Sequence, residues 1–208
     1  MLAFDVLTHT YSVGGRIVPS VTSRIQAAGL LGPAATFFTH GAAARGTSVH
    51  LACLQLDQPT DPELAHVLTP DERGYLRSYA RWRDAMRPHW TSLEQPHYSP
   101  AYDTAGTTDR LGTLDGVPII VDLKTGAPAP WHGIQLAMYD LLYDTVPPRQ
   151  RRRLAVHLAP DGRMAQTVEY HAARDYLHAL ALMKGGTHGP DYPDDDSRVA
   201  ATHDQPPD

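Results

Sequence analysis

The apolar run Val117-Pro118-Ile119-Ile120-Val121 passes straight into Asp122-Leu123-Lys124-Thr125-Gly126. A short apolar stretch of this kind, entered from the turn Leu114-Asp115-Gly116, reads as a buried strand. Side chains alternate across a strand, so Asp122 and Lys124 share one face. A carboxylate and an ammonium therefore stand side by side at the end of an otherwise buried element. The lysine is the more telling of the two, because the chain has sixteen arginines and only two lysines, Lys124 and Lys184. A compact ammonium can shift its pKa and point at a single oxygen, which a planar guanidinium cannot do.

Elements of both kinds surround that strand. Residues 9–18 form a predicted hairpin around Gly14-Gly15. Ser20 is the expected N-cap of a short helix ending near Gly29. A second helix is expected over residues 36–56, with Val49, Cys53 and Leu56 on one side. Thr69-Pro70-Asp71-Glu72 combines a capping threonine, a first-turn proline and two acids at the positive end of a helix dipole, and that helix should run to about Met86. Residues 89–98, 101–113 and 117–124 read as a strand meander, followed by a helix over 131–143. Two more strands (153–158 and 164–170, around Pro160-Asp161-Gly162) and a helix over 172–183 close the pattern. The order implies an α/β domain over residues 1–186, with one mixed sheet flanked by helices.

Composition excludes several classes. The single cysteine, Cys53, rules out an internal disulfide and any four-cysteine metal or iron–sulfur site. No apolar run reaches eighteen residues and the first residues lack a signal-peptide pattern, so an intracellular, cytoplasmic protein with no membrane partner is expected. The formal charge of −5 is concentrated in residues 191–208, where six aspartates face Arg198 alone. Acids and bases balance in the remainder, which leaves binding to a polyanion open. Residues 187–208 are acidic and proline-rich, and they read as a disordered tail.

Asp109 precedes Asp122 by thirteen positions and falls on the neighbouring predicted strand. Two carboxylates from adjacent strands can supply oxygen ligands to Mg²⁺, with the Leu123 carbonyl pointing toward the same ion. Lys124 could orient or deprotonate an attacking water and offset charge on a phosphate. These are parts of a phosphodiester hydrolase. Taken alone, the triplet also reads as a surface salt bridge of Asp122 with Lys124, or of Asp109 with Arg110 across a turn.

Further motifs extend the pattern. Gly106-Thr107-Thr108-Asp109, then Val121-Asp122-Leu123-Lys124-Thr125-Gly126, then Gln135-Leu136-Ala137-Met138-Tyr139 together resemble the signature of the PD-(D/E)XK nuclease superfamily. The likeness is closer to its RecB-like branch of phage-type exonucleases. Gly46-Thr47-Ser48-Val49-His50 matches the upstream histidine of that branch, and His9-Thr10-Tyr11 with Pro19-Ser20-Val21-Thr22 looks like the start of its phage-type members. The resemblance spans roughly residues 9 to 183. It implies a restriction-endonuclease-like core and a Mg²⁺- or Mn²⁺-dependent deoxyribonuclease, an exonuclease rather than an endonuclease, acting on DNA in phage or prophage recombination.

By the same resemblance, Asp109 and Asp122 bind metal, Lys124 is the catalytic lysine, and His50 is a further ligand. Gln135 and Tyr139, one helical turn apart, position the lysine or the DNA backbone. Glu94 matches an acid often present on the preceding strand. Arg151 and Arg152, within the run Arg149-Gln150-Arg151-Arg152-Arg153, are candidate phosphate contacts, and Trp131 is a candidate platform for an unpaired base. The second acid is aspartate where many members carry glutamate, one methylene shorter. A non-catalytic nucleic-acid-binding or partner-binding member of the fold, a subunit needing a partner, a recombination or single-strand-binding partner and a ring-shaped homo-oligomer all stay open.

Overall fold

A computed structural model describes residues 1–6, 8–31, 40–58, 68–143, 151–186 and 198–201, with side chains placed throughout except at 40–43 and 198–201. Three short strands, β1 (Leu2–Asp5), β2 (Thr10–Val13) and β3 (Arg16–Val18), make an antiparallel sheet. Its hairpin turns at Gly14-Gly15 as expected, but β1 was not anticipated. Helix α1 (Val21–Ala27) follows, capped by a Ser20 side chain that accepts from the Ser23 N–H at 3.0 Å. Helices α2 (His40–Asp57) and α3 (Pro70–Met86) come next. The expected start of α2, at residue 36, lies outside the described residues. The Thr69 box is closed in both directions, the Glu72 N–H donating to Thr69 Oγ1 at 3.3 Å and the Thr69 N–H to Glu72 Oε2 at 2.7 Å.

The central sheet contains β4 (His89–Ser99), β5 (Thr104–Leu114), β6 (Val117–Lys124), β7 (Arg152–His157), β8 (Gln166–Tyr170) and β9 (Arg198–Ala201), side by side in chain order. Asp115 and Gly116, at φ +52° and +78°, make the two-residue turn between β5 and β6. Positive φ at both positions is the primed hairpin geometry that Asp-Gly favours. Strand β5 starts three residues later than expected, because Ser99 to Asp103 turn back on themselves, with the Tyr102 N–H donating to the Ser99 carbonyl at 3.3 Å. β9 comes from the segment read as a disordered tail. It carries that segment's one short apolar stretch, Val199-Ala200-Ala201, paired against Thr167 to Glu169.

Among the described strands only β6 and β7 run parallel, and α4 (Trp131–Leu141) makes the crossover between them. The last helix, α5 (Ala173–Met183), packs against α4. Helices cover both faces of the sheet. On one, Val21 and Ile25 of α1 join Leu136, Met138 and Leu142 around Leu111 and Ile120. On the other, Val49 and Cys53 of α2 join Tyr79 and Trp82 of α3 around Ile119, Val121 and Leu123. The protein is thus α/β, a mixed sheet flanked by helices, compatible with a restriction-endonuclease-like core. Alternate residues of β6 enter opposite cores, which is why the strand reads as unbroken apolar sequence. Among the described residues no helix is long and apolar enough to cross a membrane.

Candidate metal centre

The site forms where β5 and β6 part. Their ladder runs as far as Arg110↔Val121, and beyond it Asp109 Oδ2 accepts from the Leu123 N–H at 2.6 Å. Across β5 stands Glu94, between the pairs Leu93↔Arg110 and Gln95↔Thr108. Its φ of +47° lies in the left-handed region, which costs a non-glycine residue about 1–3 kcal/mol and is found most often at functional sites. There the Glu94 carboxylate comes within 3.6 Å of His50 Nδ1, and Asp109 Oδ1 within 3.4 Å of the same nitrogen.

His50 projects from α2, next to the buried Val49. Its Nε2–H donates to the Leu123 carbonyl at 3.0 Å. A backbone carbonyl on the far nitrogen sets the ring's orientation and leaves Nδ1 as the ligand atom. One donor atom from each of His50, Glu94 and Asp109 lies within 4.8 Å of the other two. Two carboxylate oxygens and an imidazole nitrogen at that spacing fit a single divalent cation, so this group could hold a metal ion.

The tight group differs from the expected ligand set in two respects. Glu94, the least emphasised acid, belongs to the tight group. The Leu123 carbonyl accepts from His50, and Asp122, outside the tight group, has its Oδ2 paired with Lys124 Nζ. Lys124 Nζ also donates to Gln135 Oε1 at 2.7 Å and sits 5.1 Å from the centre of the Trp131 ring. Asp122 is 4 % exposed, so the Asp-x-Lys pair is not a surface salt bridge. Gln135 therefore positions the lysine. Tyr139, one turn on, is buried on the same helix, and Gly106 makes room for it: a Cβ at Gly106 would come within 2.8 Å of the tyrosine ring.

Buried negative charge dominates the electrostatics. Burial pushes the Asp122 carboxyl up to about 6; Lys124 opposes that shift and Asp109 adds to it. Burial, then Asp109, raises Glu94 as well. Burial works against a charged His50, yet Asp109 and Glu94 hold the ring well above its ordinary value. Asp109 is lowered: burial opposes this, but His50 and the Leu123 N–H prevail. Burial, with Asp122 and Asp109 beyond it, keeps the Tyr139 hydroxyl protonated. A charged Asp109 that raises both Glu94 and Asp122 is what a bound cation would relieve.

A supporting network lies beneath, and sequence reading missed it. Arg110, wholly buried, donates to Glu94 Oε1 at 3.0 Å and to Asp57 Oδ2 at 2.7 Å. Tyr79 donates to the same Asp57 oxygen at 2.5 Å. Arg110 is thus not a turn partner of Asp109 but the brace behind Glu94. The only signal was an arginine in a strand whose neighbours, Leu111 and Ile119 to Val121, are apolar.

The phosphate-contact expectation fails for Arg151 and Arg152. Arg151 is buried against Asp140, and Arg152 forks onto Glu169 at 2.9 and 2.7 Å. Register also separates them from the site, since Arg152 pairs with Ile119 while Lys124 pairs with His157. Five residues of strand amount to roughly 16 Å. Arg149 lies outside the described residues. Cys53 is buried, and burial raises its thiol pKa, as expected for a small core side chain. No family model matches the chain, and no curated protein does.

Proposed function

We propose that this protein is a metal-dependent DNA nuclease, an exonuclease in preference to an endonuclease, working in DNA recombination or processing of phage or prophage type. One juxtaposition supports the reading: a His50–Glu94–Asp109 group fit for a cation stands beside an Asp122–Lys124 pair held by Gln135. His50, Glu94 and Asp109 would hold Mg²⁺ or Mn²⁺, with Asp122 beside them; the bound ion would polarise a phosphoryl oxygen and lower the pKa of a water.

The chain's own groups do the rest. Lys124, fixed between Asp122 and Gln135, orients the attacking water, and its charge offsets that building on the phosphate. Tyr139, kept protonated, acts as a donor. Arg110 holds Glu94 in place from below. Hydrolysis adds water across one P–O bond, the attacking oxygen joining phosphorus as the leaving oxygen takes up a proton.

End-labelled linear DNA and a closed circle, each incubated with Mg²⁺ or Mn²⁺, test this. The linear strand is expected to be degraded and the circle to survive, with Lys124→Ala slower by about 100-fold or more. Equal rates for the wild type and Lys124→Ala would overturn the reading. Cutting of the circle would overturn its exonuclease part, and DNA binding without cleavage would mark a non-catalytic member.

A further inference from the structure

Beside the cluster lies a concave feature that hydrolysis does not use. A cavity of about 300 Å³ opens between the β2 strand, the start of α1 and α4, with His9, Tyr11, Thr22, Gln26, Gly106 and Tyr139 in its lining. Tyr139 is the wall it shares with the metal centre, close enough for Asp122 and Asp109 to act on its hydroxyl. Gly106 stands three residues before Asp109 on β5.

Two observations mark it as more than a gap in packing. His9 sits at φ +51°, a strained conformation for a non-glycine residue. Tyr11 is held on two sides: its Oη pairs with Thr107 Oγ1 at 2.7 Å, and its ring stacks on Phe4 with centroids 4.6 Å apart. An aromatic surface is thereby fixed next to the candidate reaction centre.

The lining selects the ligand. It offers hydroxyls, an imidazole, a carboxamide and two tyrosine rings, with no Lys, Arg, Asp or Glu among them. A phosphate would find no cation there, and a metal ion no carboxylate. Neutral hydrogen-bonding groups and ring faces suit the base and sugar of a nucleoside. The Ser20 and Ser23 hydroxyls are engaged in capping α1 and the Thr22 side chain hydrogen-bonds Tyr139, which leaves the exposed Gln26 to meet the edge of a base.

We infer that this cavity receives the nucleoside at the end of the DNA strand, next to the phosphate that is cut. The inference rests on the nuclease reading, and names which part of the substrate the enzyme grips. A cavity bounded by Tyr139 accepts one residue from a free end, so mononucleotides are the expected products.

Equilibrium titration of the full chain with Mn²⁺ and either thymidine 5′-monophosphate or 2-deoxyribose 5-phosphate reads the cavity without requiring cleavage. The nucleotide should bind roughly tenfold tighter than the sugar phosphate, the scale of one base–aromatic contact. Thr22→Trp, which fills the cavity, should abolish the difference, and Gln26→Ala should reduce it. Both side chains face solvent, so unchanged thermal melting separates a lost site from a lost fold. Equal affinity for the two ligands in the wild type, or a difference that survives Thr22→Trp, overturns the inference whether or not DNA is cut. Failure of the wild type to cut linear DNA overturns the nuclease reading and leaves the titration to decide the cavity. Where cleavage occurs, an abasic residue at the 5′ or 3′ end should raise KM about tenfold at one of the two ends, with kcat within about twofold. No KM change at either end also overturns it.

Discussion

At the scale of single residues, the clearest division is between Lys124 and Arg110. Lys124 is conspicuous in sequence, rare in an arginine-rich chain and placed beside Asp122 by strand alternation alone. Arg110 is as deeply placed and was misread, because its partners Asp57 and Glu94 are 53 and 16 positions away. The planar guanidinium spans both acids at once, a reach and geometry that lysine lacks. Arg110→Met should lower stability by about 3–5 kcal/mol, since it removes the buried guanidinium shared by Asp57 and Glu94 and leaves them only the longer ion pairs with Arg83 and His50. Arg110→Lys should recover only part of that. Urea melts of the three proteins check both expectations; a methionine variant as stable as the wild type would mean that Arg110 braces nothing.

Secondary elements were legible where their signals are local. The start of α3 follows from Thr69 and Glu72, three residues apart, and the structure closes both capping hydrogen bonds. Thr69→Ala removes one of them and should cost about 1 kcal/mol, measurable by thermal or urea unfolding, whereas Thr69→Ser should be nearly neutral. The meander was legible for the same reason, with Asp115-Gly116 marking its turn. Other elements were not. Strand β1 is four residues held by pairing with β2 and by packing of Leu2 and Phe4, and β9 depends on β8. Both exist by virtue of a neighbouring edge rather than of their own sequence, so neither leaves a periodicity to read.

At the scale of the molecule, two helical layers and the sheet between them bring α2, β4, β5 and β6 to one point. Asp109 raises the pKa of Glu94 and Asp122 there, and this links the site to the stability of the whole. His50 has a folded-state pKa above its ordinary value, so its pairing with Asp109 and Glu94 stabilises the fold at low pH and is lost as pH rises through that raised value. Asp122, pushed up to about 6, also favours the folded state less once it ionises. A cation needs these same groups deprotonated. Thermal melting without added metal should therefore fall as pH climbs from about 4 to about 6 through Asp122, and fall further above 6.5 through His50, while the increment in Tm produced by Mn²⁺ should grow over the same range. Melting curves at several pH values, with and without Mn²⁺, check the two opposite slopes. A Mn²⁺ increment that does not change with pH, or one retained in an Asp109→Ala variant, would detach the metal from this cluster.

The sequence by itself determined which residues sit on β6 and which way they face, because strand alternation and apolar runs are short-range. It also placed Gln135 and Tyr139 on one helix face, and the Ser20 and Thr69 caps, for the same short-range reason. It took the tertiary packing to settle that Glu94 completes the group that could hold a metal ion, and that Arg151 and Arg152 pair inside the fold. Those outcomes depend on strand register and on the parting of β5 from β6, set by the packing of helices distant in the chain. Register couples residues that share no local pattern, and charge placed by register leaves no mark in the order of the amino acids.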